Sequence, residues 1–148
     1  MNTPEQATDL SQATSAGLLR RLSAMFYDAV LLAAMLFVAS GLALLINGGE
    51  PIAPGNHFYT AYMVLVTYLF FAWFWIHGGQ TLGLRAWRTK VLRNDGLPLT
   101  WGDTLKRFLF AVISLLPLGL GFFWSLLDQD NRAWHDHLSG TRLVLLAK

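Results

Sequence analysis

The chain has no cysteine in its 148 residues, which excludes disulfides, thiolate metal ligands and thiol redox chemistry. It is also poor in charge. Asp, Glu, Lys and Arg make up 14% of the residues, against about 25% in soluble domains. Residues 58–76 and 108–127 contain no formal charge, and residues 22–46 contain one, Asp28. Catalytic signatures are lacking too. No nucleophile elbow, P-loop or H-E-x-x-H pair occurs, so nothing points to an enzyme. The start of the chain has no cationic segment before a short apolar run, so no cleavable signal peptide is expected. The net charge is only +2, and no feature suggests nucleic acid.

What is present is apolar. Hydrophobic residues are 54% of the chain. At about 1.5 Å per residue, the segments 22–46, 58–76 and 108–127 are each long enough for a hydrocarbon core of roughly 30 Å. The expected class is an all-α transmembrane protein. Residues 1–16 are polar and small and read as a flexible tail, and residues 17–148 read as a single membrane domain.

Basic residues set the orientation. Arg20 and Arg21 precede the first segment, and Arg85, Arg88, Lys90, Arg93, Lys106 and Arg107 follow the second. Residues 47–57 between them hold Glu50 and no cation. The positive-inside rule places the N-terminus and residues 78–107 in the cytoplasm. Tyr59, Trp73 and Trp75 lie near the ends of the second segment, where amphipathic rings favour the interface.

The third segment is interrupted by Pro117-Leu118-Gly119-Leu120-Gly121, which predicts a break. Two arrangements are open, a kinked full crossing and a re-entrant hairpin. The cations Arg132, Arg142 and Lys148 beyond it favour re-entry. So do two candidate strands. Residues 89–93, followed by the turn Asn94-Asp95-Gly96, and residues 141–146 are short plausible strands. Neither is stable alone, and they can pair only on one side of the membrane. The expected fold is therefore two full transmembrane helices, a third broken helical segment and a small cytoplasmic strand pair. Thr100 is placed to cap the helix leading into the third segment.

Asp28 is the central question. An unpaired carboxylate at that depth costs at least ~2.5 kcal/mol, so it needs a partner or a task. Arg21, nearly two turns earlier, shares its helix face. Arg107 opens the third segment, and Asp128 and Asp136 flank Arg132 beyond it. Re-entry would gather these groups into one Arg/Asp network. Asp28 then reads either as an orientation lock paired with Arg21, Arg107 or an aromatic hydroxyl, or as a cation or proton site that competes with arginine for the carboxylate. Asp136 also fits a helix cap or turn. His135 and His137 at i, i+2 fit one face of a strand rather than a helix, and His57 and His77 lie elsewhere. No metal site or cofactor is expected.

Several stretches resemble the RDD family of bacterial membrane proteins, named for an arginine and two aspartates. They are Leu19-Arg20-Arg21-Leu22 with Tyr27-Asp28, Gly78-Gly79-Gln80-Thr81-Leu82-Gly83, residues 91–100 from Val91 to Thr100, and Asp128 with residues 134–141 from Trp134 to Thr141. The resemblance implies that Arg21 is the family arginine, with Arg20 its rival, and that Asp28 is the first aspartate. The second is Asp136, with Asp128 its rival. Leu84 departs from the pattern, since many members carry a basic residue after T-L-G; Arg85 is the neighbouring substitute. The resemblance also implies a multi-pass protein of the bacterial inner membrane.

Two functions compete. Asp28 and the broken segment favour a component of ion or small-solute transport. Small size favours a non-enzymatic adaptor or assembly factor, with Ala33-Ala34 or Ala39-Ser40-Gly41 packing on a partner. Three segments enclose little space, so transport calls for a homo-oligomer or a partner membrane protein besides the lipid bilayer.

Overall fold

A computed structural model describes residues 14–146. The first helix, α1 (Leu18–Ile46), is 29 residues long, or roughly 43 Å at the α-helical rise. Its burial is inverted relative to a soluble helix. Its buried residues are Arg21, Ala24, Asp28 and Ala39. Phe37 and Ile46 are 81% and 88% exposed. Polar and small groups face the protein, and the large apolar side chains face out, as a hydrocarbon solvent requires.

A glycine-rich turn leads to α2 (His57–Ile76), which is capped by Asn56, whose side chain accepts from the Tyr59 amide at 3.0 Å. Hydroxyls tie α1 to α2. Tyr59 Oη lies 2.8 Å from Ser40 Oγ, and Tyr62 Oη donates to the Ala39 carbonyl at 3.2 Å. Such hydrogen bonds can hold two helices together where no hydrophobic drive acts between them.

After α2 the chain turns through Gly78 and Gly79 into a short helix, α3 (Leu82–Ala86), and then β1 (Thr89–Arg93). Thr81 caps α3 by accepting from the Leu84 amide at 3.1 Å. The expected Thr100 cap is present as a capping box with Asp103, opening α4 (Trp101–Leu115).

The Pro/Gly interruption breaks the third apolar segment as expected. Leu118 and Gly119 adopt φ of 55° and 79°. The helices on either side, α4 and α5 (Leu120–Phe123) with the 3₁₀ turn Trp124–Leu126, are bent by 105°. Gly121 lets α5 fold back, because a Cβ there would sit 2.6 Å from Ser114 Cβ. A sixth helix, α6 (Trp134–Ser139), precedes β2 (Thr141–Leu145).

β1 and β2 pair antiparallel, with Val91 opposite Leu143. The two flanks of the third apolar segment thus meet in one sheet. Residues 14–16 depart from the expected tail. The Ala16 amide donates to the Leu143 carbonyl at 3.0 Å, and Thr14 accepts from the Leu145 amide at 2.8 Å. This backbone pairing draws the start of the domain onto β2, and Ala16 is buried. The rest of the expected tail, residues 1–13, and the C-terminal Lys148 lie outside the described residues.

Candidate functional site

The buried charges gather where α1, α4 and α6 meet. Asp136, in the first turn of α6, has no exposed surface. Its Oδ1 accepts from Arg107 Nη1 at 2.6 Å, and its Oδ2 lies 2.7 Å from Arg21 Nη2. Oδ2 also accepts from the Ala133 amide at 3.2 Å, so the carboxylate caps its own helix while holding two guanidinium groups. Arg107 Nη1 donates to Thr141 Oγ1 at 2.7 Å, and Arg21 Nη2 donates to the Asn131 carbonyl at 3.2 Å. The Arg107 guanidinium carbon lies 5.3 Å from the centre of the Trp75 ring, close enough for a cation–π contact.

Burial alone would push the Asp136 carboxyl up, but Arg107 and then Arg21 override it and hold the group well below the usual carboxylate range. Beside it, burial pushes His135 down to about 3, with the two arginines adding to the shift and Asp136 opposing it. His135 is therefore a neutral imidazole at ordinary pH. Counting Arg21, Arg107 and Asp136, the cluster carries one excess positive charge.

Asp28 stands apart from these ion pairs. Its Oδ1 accepts from the Gly83 amide at 2.9 Å, and its Oδ2 accepts from Thr81 Oγ1. The expected pairing with Arg21, Arg107 or an aromatic hydroxyl gives way to a hydroxyl and a backbone amide at the start of α3. Both arginines are drawn to Asp136 instead. Gly83 makes the approach feasible, because a Cβ there would lie 2.8 Å from the Asp28 carboxyl carbon. The cation-for-arginine exchange at Asp28 loses its geometric basis, since no guanidinium is bonded to that carboxylate.

The remaining candidates sit outside the cluster. Arg20 is exposed and donates to the Trp87 carbonyl at 3.4 Å. Asp128 accepts from the Arg132 amide at 2.9 Å and lies 3.0 Å from His137 Nε2. Those bonds, the Arg132 amide first, hold its carboxyl below the ordinary value. Arg85 is exposed, whereas Leu84 is buried.

The His-Asp-His run lies on a helix rather than a strand. His135 turns inward against Phe122, with ring centres 4.7 Å apart, and His137 turns outward to Asp128. Among the described residues no group of three His, Asp or Glu is placed to hold a metal.

Thr81, Gly83, Thr141 and Trp75 belong to the site but were not singled out as such from the sequence. Thr81 carried a signal, since a threonine before a short helical stretch is a capping residue. Trp75 reads as an interface ring but is 8% exposed and packs beneath Arg107.

A cavity of about 250 Å³ opens beside the cluster. Arg21, Asp28, Thr81, Arg107 and His135 share its wall with apolar side chains of α2 and α4.

Two helices long and apolar enough to cross a membrane, a bent helix pair of similar character, and charges turned inward point to a membrane protein. The chain belongs to the RDD family, whose model matches residues 15–140. Searches of curated proteins and of solved structures found no match.

Proposed function

We propose that this protein is a multi-pass component of ion or small-solute transport in the bacterial inner membrane, and that the cavity beside the Arg21–Asp136–Arg107 cluster is its solute site. On this reading Arg21, Asp28 and Asp136 are the arginine and aspartates for which the family is named. The observation that carries the reading is the cavity itself, where four ionisable side chains from three helices, Arg21 and Asp28 of α1, Arg107 of α4 and His135 of α6, line one apolar space. Charges held in such a place are costly and mark solute paths. No catalytic chemistry is assigned. The chain acts within the lipid bilayer, as a homo-oligomer or with a partner membrane protein.

The test is flux into proteoliposomes of Na⁺, K⁺, Li⁺, H⁺, phosphate and decanesulfonate. Filling the cavity by Ala111→Trp is expected to abolish whichever flux the native protein carries. Flux that survives this change, or none above protein-free vesicles, overturns the reading. The second outcome leaves the adaptor function. That alternative loses part of its proposed surface, because Ala39 and Ser40 are engaged by Tyr62 and Tyr59 of α2. Ala33 and Ala34 remain exposed on α1.

The proposed orientation has both termini in the cytoplasm and the third apolar segment re-entrant. The 105° bend and the pairing of β1 with β2 support it. Because the chain has no cysteine, single cysteines at Asp95 and at Lys148 give clean probes. Both are expected to resist an impermeant thiol reagent in intact cells, and labelling at either from outside would overturn re-entry.

A further inference from the structure

We infer that the cavity takes a free amphiphilic acid, a compact anionic head on a single aliphatic chain, with the head against Arg21 and Arg107. The inference rests on the solute-site reading above and names the solute class.

Several buried donors of the cluster make no hydrogen bond. Arg21 is 3% exposed and Arg107 4%. Asp136 occupies one nitrogen of each, Nη2 of Arg21 and Nη1 of Arg107. Arg21 Nε and Nη1, and Arg107 Nε, are buried without a hydrogen-bond partner. Both side chains line the cavity. A guanidinium has only donors, so what these nitrogens lack is an acceptor. The cluster's excess positive charge makes an anionic acceptor the best match. His135 Nδ1, also buried and unpartnered on the same wall, can serve in either hydrogen-bonding role.

The rest of the wall selects the tail. Phe71, Phe108, Leu115 and Phe122 are apolar, and the volume of about 250 Å³ exceeds the ~150 Å³ dry cavity known to hold a benzene. Val112 and Leu115 on this wall are 44% and 54% exposed, so the cavity reaches the apolar outside of the helices. A single chain entering from the bilayer fits that mouth and that volume.

Asp28 shares the wall and opposes an anion. Its oxygens are turned to Thr81 and to Gly83, both donors. Removing its charge should therefore tighten binding. A cation site at Asp28 predicts the reverse.

The experiment is thermal melting of the full chain in detergent with decanesulfonate, decanol, decyltrimethylammonium or a short-chain phosphatidylglycerol. Decanesulfonate at saturation is expected to raise Tm by roughly 5 °C, with the other three within about 1 °C of the ligand-free value. Asp28→Asn should lower the decanesulfonate concentration needed severalfold. Asn can still accept from the Gly83 amide and donate to Thr81. Ala111→Trp should abolish the shift. Equal shifts with all four, a shift with phosphatidylglycerol alone, or weaker binding in Asp28→Asn would each overturn the inference. If Ala111→Trp does not fold, the Asp28→Asn result decides. Flux lost on filling the cavity, with no decanesulfonate shift, would retire the anion and keep the transport reading. A shift without any flux would do the opposite.

Discussion

Asp136→Ala is expected to prevent stable folding. The substitution leaves Arg21 and Arg107 buried together with their shared counter-charge removed. Stranding one partner of a buried pair costs roughly 3–5 kcal/mol, and here two like charges are stranded on one site. Whole domains are stable by only about 5–15 kcal/mol. The expected readout is loss of the cooperative melt in detergent. Replacing all three ionic groups, Arg21→Met with Arg107→Met and Asp136→Leu, should recover most of the lost stability, because well-packed apolar groups often substitute for a buried ion pair at little cost. In a double-mutant cycle, Arg21 and Asp136 should couple strongly, whereas Arg21 and Asp28 should be close to additive. An Asp136→Ala protein that melts within about 1 °C of the native one would show that the cluster does not hold the helices together.

The second large effect is expected at Gly83→Val. This glycine is the contact point of α3 with α1, and its amide donates to Asp28 at 2.9 Å. A Cβ would collide with the Ala24 carbonyl oxygen and lie 2.8 Å from the Asp28 carboxyl. Neither neighbour can yield easily, since one is helix backbone and the other is bonded to Thr81 as well. The substitution should separate α3 from α1 and uncover Asp28. The expected result is loss of the monodisperse peak in size-exclusion chromatography. Gly41→Ala is the matching control on α1, where a Cβ meets nothing within 4 Å. It should be neutral or stabilise by up to ~1 kcal/mol. Normal behaviour of Gly83→Val would mean that α3 can stand off α1 without harm.

The sequence made the gross layout readable because lipid-facing segments are written in the absence of charge. Residues 58–76 read as a helix from their length and apolarity, and α2 covers His57–Ile76. The strand pair was legible because the Asn94-Asp95-Gly96 turn and short β-prone runs have few other uses. The break at Pro117–Gly121 followed from backbone chemistry. Partner choice was not legible. Arg21 and Asp28 share a face by helical spacing, yet which carboxylate an arginine meets depends on where α6 docks, and no local pattern encodes that. The partners of Asp28 were missed for a related reason. A threonine hydroxyl and a backbone amide carry no charge to draw attention, and an amide donor is the same in every residue but proline. The cap at Asp136 was legible from its residue type, whereas the spacing of His135 and His137 did not show that the run opens a helix. The Ala133 amide bonded back to Asp136 starts a helix there.

The way α1 hides its charges has a consequence for the order of assembly. Arg21 reaches a carbonyl 110 residues further along the chain, and Asp28 a hydroxyl 53 residues further. Helix α1 therefore leaves the ribosome with two buried ionic groups whose partners do not yet exist. Asp28 is answered when the turn after α2 is made, and Arg21 waits until α6 emerges. The bundle is a clasp with its two halves at opposite ends of the domain, and it closes only after nearly the whole domain has been made.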